Sequence, residues 1–525
     1  MEKHFNTAGP NIAALHYQID PLVRLEIGGL LELIAQQRYF VLHAPRQTGK
    51  TTCLLAARDY LNAGSEYAAL YVNIEAAQAA RGNLELAAQA ILSKIAEQAI
   101  DVLGNAVVER ERAAILARGA GTAVASALRL LAQFSSKPVV LFIDEVDSLI
   151  GDSLISLLRQ IRAGYTDRPK NFPQSIVLCG VRDVRDYRMT SGDGEVITGG
   201  SAFNIKAESL RLGDFSRSEM EALYQQHSDA CGQLFSSDAL DLAWESTRGQ
   251  PWLVNALAEQ AVWKCQENRD RSVPIDLVRM RAAREALILR NDTHLDQLSD
   301  KLHEDRVRRV MEPMLLGGEH AGSEADVQYL LDLGLIRRQM PGKSILPANG
   351  IYAEVLPRVL NSSAQSNMHS ERILPSWQDA SGHMKPRQFL LNFLDFWRQH
   401  GESMMRSVPY HEAAPHLVLM AYLQRVVNGE GRIEREYAAG SGRLDLLVIH
   451  GDVRMAIEVK VWRDRRPDPL IEGLEQTQRY LARLGLNEGY LVLFDQRSNA
   501  AEWTDRMHSE SAYTADGKSV LVLRA

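Results

Sequence analysis

Residues 39–61 read YFVLHAPRQTGKTTCLLAARDYL. An apolar strand pattern, Tyr39–His43, runs through a short loop into the helical pattern TTCLLAARDYL. That order gives the loop its meaning. Gly49 lets backbone amides wrap a phosphate, and the start of the following helix adds its positive dipole end. Lys50 is expected to reach the β- and γ-phosphates, and the Thr51 hydroxyl to ligate Mg²⁺. The predicted nucleotide-binding set is Ala44, Pro45, Arg46, Gln47, Thr48, Gly49, Lys50, Thr51 and Thr52. Ala44 replaces the glycine of the strict pattern and is small enough for the turn.

A second stretch completes this site. PVVLFIDEVD, Pro138–Asp147, is an apolar strand ending in acids. Asp144 at its tip is predicted to hold Mg²⁺ through water, and Glu145 to polarise the attacking water. Acids at the carboxyl end of a parallel strand lie on the ligand edge of such sheets.

Outward from these motifs, short apolar runs alternate with helical patterns between Tyr39 and about Lys206. The strand candidates are Tyr39–His43, Ala68–Asn73, Val139–Ile143 and Ser175–Cys179, each nearly all apolar, as expected of a parallel sheet covered on both faces. After Phe215 the periodicity is helical to about Leu289. The stretch from about Lys301 to Leu360 combines a helix, Val327–Gly334, with a short strand, Leu335–Arg338. It predicts a winged-helix-like segment. NSSAQSNMHSE, 361–371, is polar and reads as a linker. The expected organisation is multidomain α/β: a P-loop ATPase core with a parallel αβα sheet (1–210), a helical lid (211–290), the winged-helix-like segment (291–360), a linker (361–385) and a C-terminal α/β domain (386–525).

The first two motifs resemble those of AAA-like and STAND-type P-loop ATPases. Under that resemblance, SIVLCGVRD, Ser175–Asp183, is the strand whose tip senses the γ-phosphate. Arg182 and Asp183 stand there in place of the Asn, Ser or Thr frequent in those families. TRGQPWLVN, Thr247–Asn255, resembles the Gly-x-Pro element of STAND-type proteins through Gly249 and Pro251. Arg185 and Arg188 are arginine-finger candidates by position.

The C-terminal stretch GRLDLLVIHGDVRMAIEVKVW, Gly442–Trp462, has its own chemistry. Two apolar strands flank Gly451-Asp452, a two-residue hairpin signal. If His450 pairs with Val453, Asp445 falls opposite Glu458, and Lys460 shares the face of Glu458. Paired carboxylates suit a hard divalent cation, and a neighbouring lysine can stabilise charge at phosphorus. Asp445 with Glu458-Val459-Lys460 resembles the PD-(D/E)XK nuclease superfamily, which implies a restriction-endonuclease-like fold with Asp445 and Glu458 as metal ligands and Lys460 as a catalytic residue. Gln476 and Tyr480 fit that family's following helix. Glu412 and Glu436 are the options for a further acid.

Composition bounds the rest. The 525-residue chain is 46% hydrophobic and 24% charged, with net charge −7, as in soluble globular proteins. A globally basic nucleic-acid coat is excluded; a local basic groove is not. Cys53, Cys179, Cys231 and Cys265 are too dispersed for a zinc knuckle or disulfide framework, which points to a reducing cytoplasm. No apolar run reaches the about 20 residues needed to span a bilayer, so no membrane partner is expected. Trp377, Trp397 and Trp462 near arginines read first as core anchors with a solvated rim; His416 and His450 read as structural. The sequence thus predicts an ATP- and Mg²⁺-using ATPase joined to a Mg²⁺-dependent nuclease acting on nucleic acid, with DNA favoured, and compatible with a homo-oligomer. The rival is a nucleotide-gated switch whose nuclease fold grips nucleic acid or a partner without cutting.

Overall fold

A computed structural model of the chain describes residues 3–183, 188–190, 196–198, 205–290, 301–302, 304–315, 322–339, 345–356, 377, 383–407, 414–427, 431–437, 444–503 and 505–525. The stretch 361–371, read as a linker, lies outside them, as does Arg185. The chain divides into two units, Met1–Leu289 with Leu331–Leu335, and Arg290–Leu330 with Ile336–Ala525.

In the first unit the strands are β1 (Tyr39–His43), β2 (Ala68–Asn73), β3 (Val139–Asp144), β4 (Ser175–Gly180), a separate antiparallel pair β5 (Arg188–Thr190) and β6 (Val196–Thr198), and β7 (Lys206–Arg211). Five of them form one sheet in the order β2-β3-β4-β1-β7, with every neighbouring pair parallel. β3 and β4 are buried along their whole length, which is why they read as unbroken apolar runs. Side chains alternate between the two faces of each strand. Phe40, Leu42, Phe142 and Val177 join Ile34, Leu54 and Ala57 from the helices Ile27–Ala35 and Lys50–Ala63. Tyr39, Val41, Leu141 and Leu178 join Ile91, Leu128 and Leu158 from helices on the other face. The result is a three-layer αβα body, and its strand candidates were all read correctly from the sequence. β7 was missed.

Helices follow the sheet: Arg217–Cys231, Ser237–Thr247, Pro251–Glu259 and Leu277–Leu289. The first opens with a capping box between Ser216 and Glu219, and the third with Pro251 at its first turn and Gln250 accepting from Leu253 N. No helix among the described residues is long and apolar enough to cross a membrane.

The second unit contains the helix Asp305–Leu315, the helix Glu324–Asp332 up to Leu330, the short antiparallel pair β8 (Ile336–Arg338) and β9 (Ile345–Pro347), and the helices Pro386–Ser407 and Ala414–Val427. Then come β10 (Gly431–Tyr437), β11 (Leu444–His450), β12 (Val453–Trp462), the helix Leu470–Leu484, β13 (Glu488–Asp495), β14 (His508–Tyr513) and β15 (Ser519–Arg524). These six strands form one sheet ordered β10-β11-β12-β13-β15-β14. β10, β11 and β12 pair antiparallel, whereas β12, β13 and β15 run parallel, so a helical crossover must carry the chain from β12 to β13. Phe389, Phe393, Trp397 and Tyr422 pack as an aromatic cluster within this unit.

Gly249 marks the joint between the first unit's sheet and its third helix after β7. Its φ is +82°, its carbonyl accepts from Phe215 N at 2.8 Å, and an added Cβ would lie 1.9 Å from Phe215 O. Gly249→Ala should therefore cost about 2 kcal/mol or more, combining backbone strain with overpacking. Gly104, at φ +62° with open space around it, is the control, at about 1 kcal/mol. Thermal unfolding of both variants checks this, and equal midpoints would contradict it.

Candidate active sites

The parallel register of the first sheet brings the ends of β1 and β3 to one edge, with β4 between them. The loop Ala44–Gly49 leaves β1 there. Gly49 takes φ +89°, a conformation that favours glycine, and caps the helix Lys50–Ala63. Lys50 is buried, and its Nζ donates to Ala44 O and Pro45 O, each at 2.9 Å. Thr48 Oγ1 donates to Pro45 O at 2.8 Å and braces the same turn. Arg46 and Gln47 are exposed at its rim.

The decisive contact crosses the sheet. Thr51 Oγ1 donates to Asp144 Oδ2 at 2.8 Å, and Tyr71 OH donates to the same oxygen at 2.8 Å. Glu145 N donates to Asp144 Oδ1 at 2.9 Å. A hydroxyl and a carboxylate this close are hard oxygen donors within reach of one small divalent cation, so these residues fit Mg²⁺. Thr52, by contrast, turns away: its Oγ1 accepts from Asn11 N at 3.0 Å and ties the N-terminal segment to this helix.

Glu145 sits at φ +60°, half-buried just beyond the strand tip. Burial, then the charges of Asp147 and Asp144, push its carboxyl above the usual range, against the opposing pull of Lys50 and Arg46. A raised pKa suits a group that must take a proton. Past β4, Val181 N donates to Asp147 Oδ1 at 3.1 Å. Asp183 is buried and Arg182 half-buried beside it. Arg188 is placed by its backbone in β5.

In the second unit the hairpin has the expected register: His450 pairs with Val453, and the ladder continues to Leu446 opposite Ile457. The ladder ends there, one residue short of Asp445 and Glu458. On the other side of β11, Glu436 in β10 pairs with Asp445. Glu412 lies outside the described residues. Leu446, Leu447, Val448, Met455, Ala456 and Ile457 are all buried, so both faces of the hairpin are covered.

Glu458 is 3% exposed, and Lys460 Nζ lies 3.1 Å from its Oε1. Lys460 also lies 3.7 Å from Glu472 Oε1 on the helix Leu470–Leu484. Gln476, one turn on, donates from Nε2 to Glu472 Oε1 at 3.0 Å, and its own buried Oε1 has no hydrogen-bond partner among the described residues. Tyr480 is half-buried on the same helix. Among the described residues, no group of three or more His, Cys, Asp or Glu has metal-holding geometry.

No family model and no curated protein matches the chain. Solved structures similar to it include a Thermotoga maritima RuvB variant (14% identity, 64% of this chain, 95% of that chain, TM-score 0.34). Others are Pyrobaculum aerophilum Cdc6p (13%, 64%, 92%, 0.35) and the Thermotoga maritima RuvB Holliday junction branch migration motor (13%, 66%, 97%, 0.33). The first unit is a five-stranded parallel αβα sheet that carries the Ala44–Gly49 loop and the Thr51–Asp144 contact at one end of its strands.

Two contributing residues were not read from the sequence. Tyr71 alternates with apolar neighbours in β2, so nothing local sets it apart from core. Glu472 lies four residues before Gln476, a spacing that places both on one helix face and that could have flagged it. Among the weaker signals, Trp377 and Trp397 are buried anchors, whereas Trp462 is half-exposed with the Arg497 guanidinium stacked 3.4 Å from its ring centre. His450 is buried. His416 is also buried, and that burial, with the charges of Arg463 and Lys460, pushes its pKa down to about 3. It is neutral at physiological pH.

The raised Glu145 pKa has a stability consequence. The folded state disfavours the ionised carboxylate, so the cost is present at neutral pH and vanishes as pH falls below the ordinary carboxylate range. Glu145→Gln should raise the melting temperature at pH 7 and lose that advantage near pH 4. A difference that stays constant from pH 4 to 8 would contradict this.

Proposed function

We propose that this chain binds and hydrolyses ATP with Mg²⁺ in its first unit and uses that cycle to control a Mg²⁺-dependent nuclease in its second. For the ATPase, the supporting observation is the 2.8 Å contact of Thr51 Oγ1 with Asp144 Oδ2 beside the Gly49 loop and Lys50. Bound Mg²⁺ would supply positive charge against the phosphate oxygens. Lys50 neutralises the β- and γ-phosphates, exchanging the carbonyls of Ala44 and Pro45 for phosphate oxygens. Glu145 orients the attacking water and takes its proton.

For the nuclease, the supporting observation is Lys460 held between the buried Glu458 and the exposed Glu472 at a covered sheet. A buried lysine–glutamate pair is a poor way to gain stability, because desolvation offsets most of the attraction; chemistry is the better reason for its presence. Asp445 and Glu458 are the proposed metal ligands, Lys460 positions the nucleophilic water, and Glu436 is the further acid preferred over Glu412 by register. The substrate is nucleic acid, with DNA the favoured form. The domain boundaries proposed for this machine are 1–210, 211–290, 291–360 and 386–525, joined across a linker at 361–385.

The test is a cleavage assay of the full chain on plasmid, linear and single-stranded DNA, with Mg²⁺ and with or without ATP. Lys50→Ala should abolish tight ATP binding. Glu145→Gln should bind ATP and hydrolyse it at least about a hundredfold more slowly. Asp445→Ala and Lys460→Ala should abolish cleavage while leaving ATP binding intact. Wild-type turnover in Glu145→Gln would remove the catalytic role of Glu145. Absence of cleavage of every substrate by the wild type, with nucleotide-dependent DNA retention, would replace the nuclease by a binding switch.

A further inference from the structure

Arg24 belongs to neither cluster of reacting groups, yet it touches the phosphate loop and the joint that follows the sheet. It closes the short helix Pro21–Arg24. Its Nη1 donates to Thr48 O at 3.0 Å, within the loop, and its Nη2 donates to Gly213 O at 2.8 Å, just past β7. Its guanidinium carbon lies 4.6 Å from the centre of the Phe215 ring. A Cβ on Gly49 would come within 2.9 Å of Arg24 Nη1, so the guanidinium is packed directly on the loop's glycine.

The far side of this contact is equally constrained. Phe215 N donates to Gly249 O at 2.8 Å, and nothing larger than glycine fits at 249 without displacing the Phe215 carbonyl. Gly249 is followed by Gln250, whose side chain caps the helix Pro251–Glu259. A continuous path therefore runs from Thr48 through Arg24 to Gly213 and Phe215, and from there to the helix at Pro251. The guanidinium is a planar fork with fixed donor directions, so its two ends cannot adjust independently. A phosphate that reorients the Thr48–Gly49 peptide shifts the carbonyl held by one end of the fork. The other end must then move relative to Gly213 or lose its bond.

We propose that Arg24 is a positioning residue that couples the phosphate loop to the helical segment beginning at Phe215, so that nucleotide binding tightens the contacts at Phe215 and Gly249. The inference rests on the ATP-binding reading given above.

The experiment is amide hydrogen exchange on the full chain, with and without Mg²⁺ and a non-hydrolysable ATP analogue. It compares wild type with Arg24→Lys, Arg24→Ala and Phe215→Leu. In the wild type the analogue should slow exchange in 45–52, and in both 212–216 and 247–253 by at least about fivefold, the lower bound of ordinary site-to-site coupling. Arg24→Lys keeps the charge without the fork; it should retain protection of 45–52 and lose the analogue-dependent protection of 212–216 and 247–253. Arg24→Ala should do the same. Should Arg24→Ala fail to fold, Arg24→Lys and Phe215→Leu carry the comparison. Analogue-dependent protection of 212–253 that survives in the Arg24 variants overturns the coupling alone. Absence of analogue-dependent protection at 45–52 in the wild type overturns the ATP-binding reading and the coupling with it.

Discussion

The hydrogen bond from Thr51 Oγ1 to Asp144 Oδ2 joins residues 93 positions apart, and the first unit is arranged so that it can form. Thr51 is carried by the first turn of the helix Lys50–Ala63, just after the loop that leaves β1, and Asp144 by the end of β3. With β4 between them, the two groups meet only if all three strands run parallel and end at one level. The register satisfies this: Leu42 pairs with Cys179, and Ile143 with Leu178. Slipping a strand by one residue would turn its core side chains to the opposite face. The apolar alternation that fills both faces of the sheet therefore also fixes the site.

The second unit meets a different constraint. Glu458 and Lys460 are carried by β12, whose neighbours on both sides pair with it in the middle of the sheet. Their charges are thereby taken from water. Such a pair persists only when each charge is compensated. The parallel step from β12 to β13 requires a crossover, and the helix that makes it brings Glu472 to Lys460 and Gln476 to Glu472. Topology supplies the third group of the cluster as a by-product of closing the sheet.

Much of this was legible in the sequence wherever burial imposed a pattern. β1 to β4 are apolar on both faces, and the hairpin register followed from Gly451-Asp452 alone. The parts that escaped are governed by other physics. β7 (KAESLR) lies at the edge of its sheet, and β10 (GRIEREY) and β14 (HSESAY) at the two edges of theirs. Polar edge strands lack the apolar run that marks a central one. β15 (SVLVLR), inside its sheet, has that run and is the exception. Arg24 and Tyr71 act through contacts 24 and 73 residues distant in the chain. No local pattern encodes such contacts. Thr52, adjacent to Thr51 in the motif, is instead committed to the N-terminal segment, because successive helix residues point about 100° apart.

The most direct test of the central claim is a crystal structure of the full chain with Mg²⁺ and a non-hydrolysable ATP analogue. The account predicts the β-phosphate in the Ala44–Gly49 loop against Lys50. It also predicts Mg²⁺ about 2.1 Å from Thr51 Oγ1, with Asp144 reached directly or through one water. Nucleotide bound elsewhere, or in the loop with its metal held by neither Thr51 nor Asp144, would contradict it.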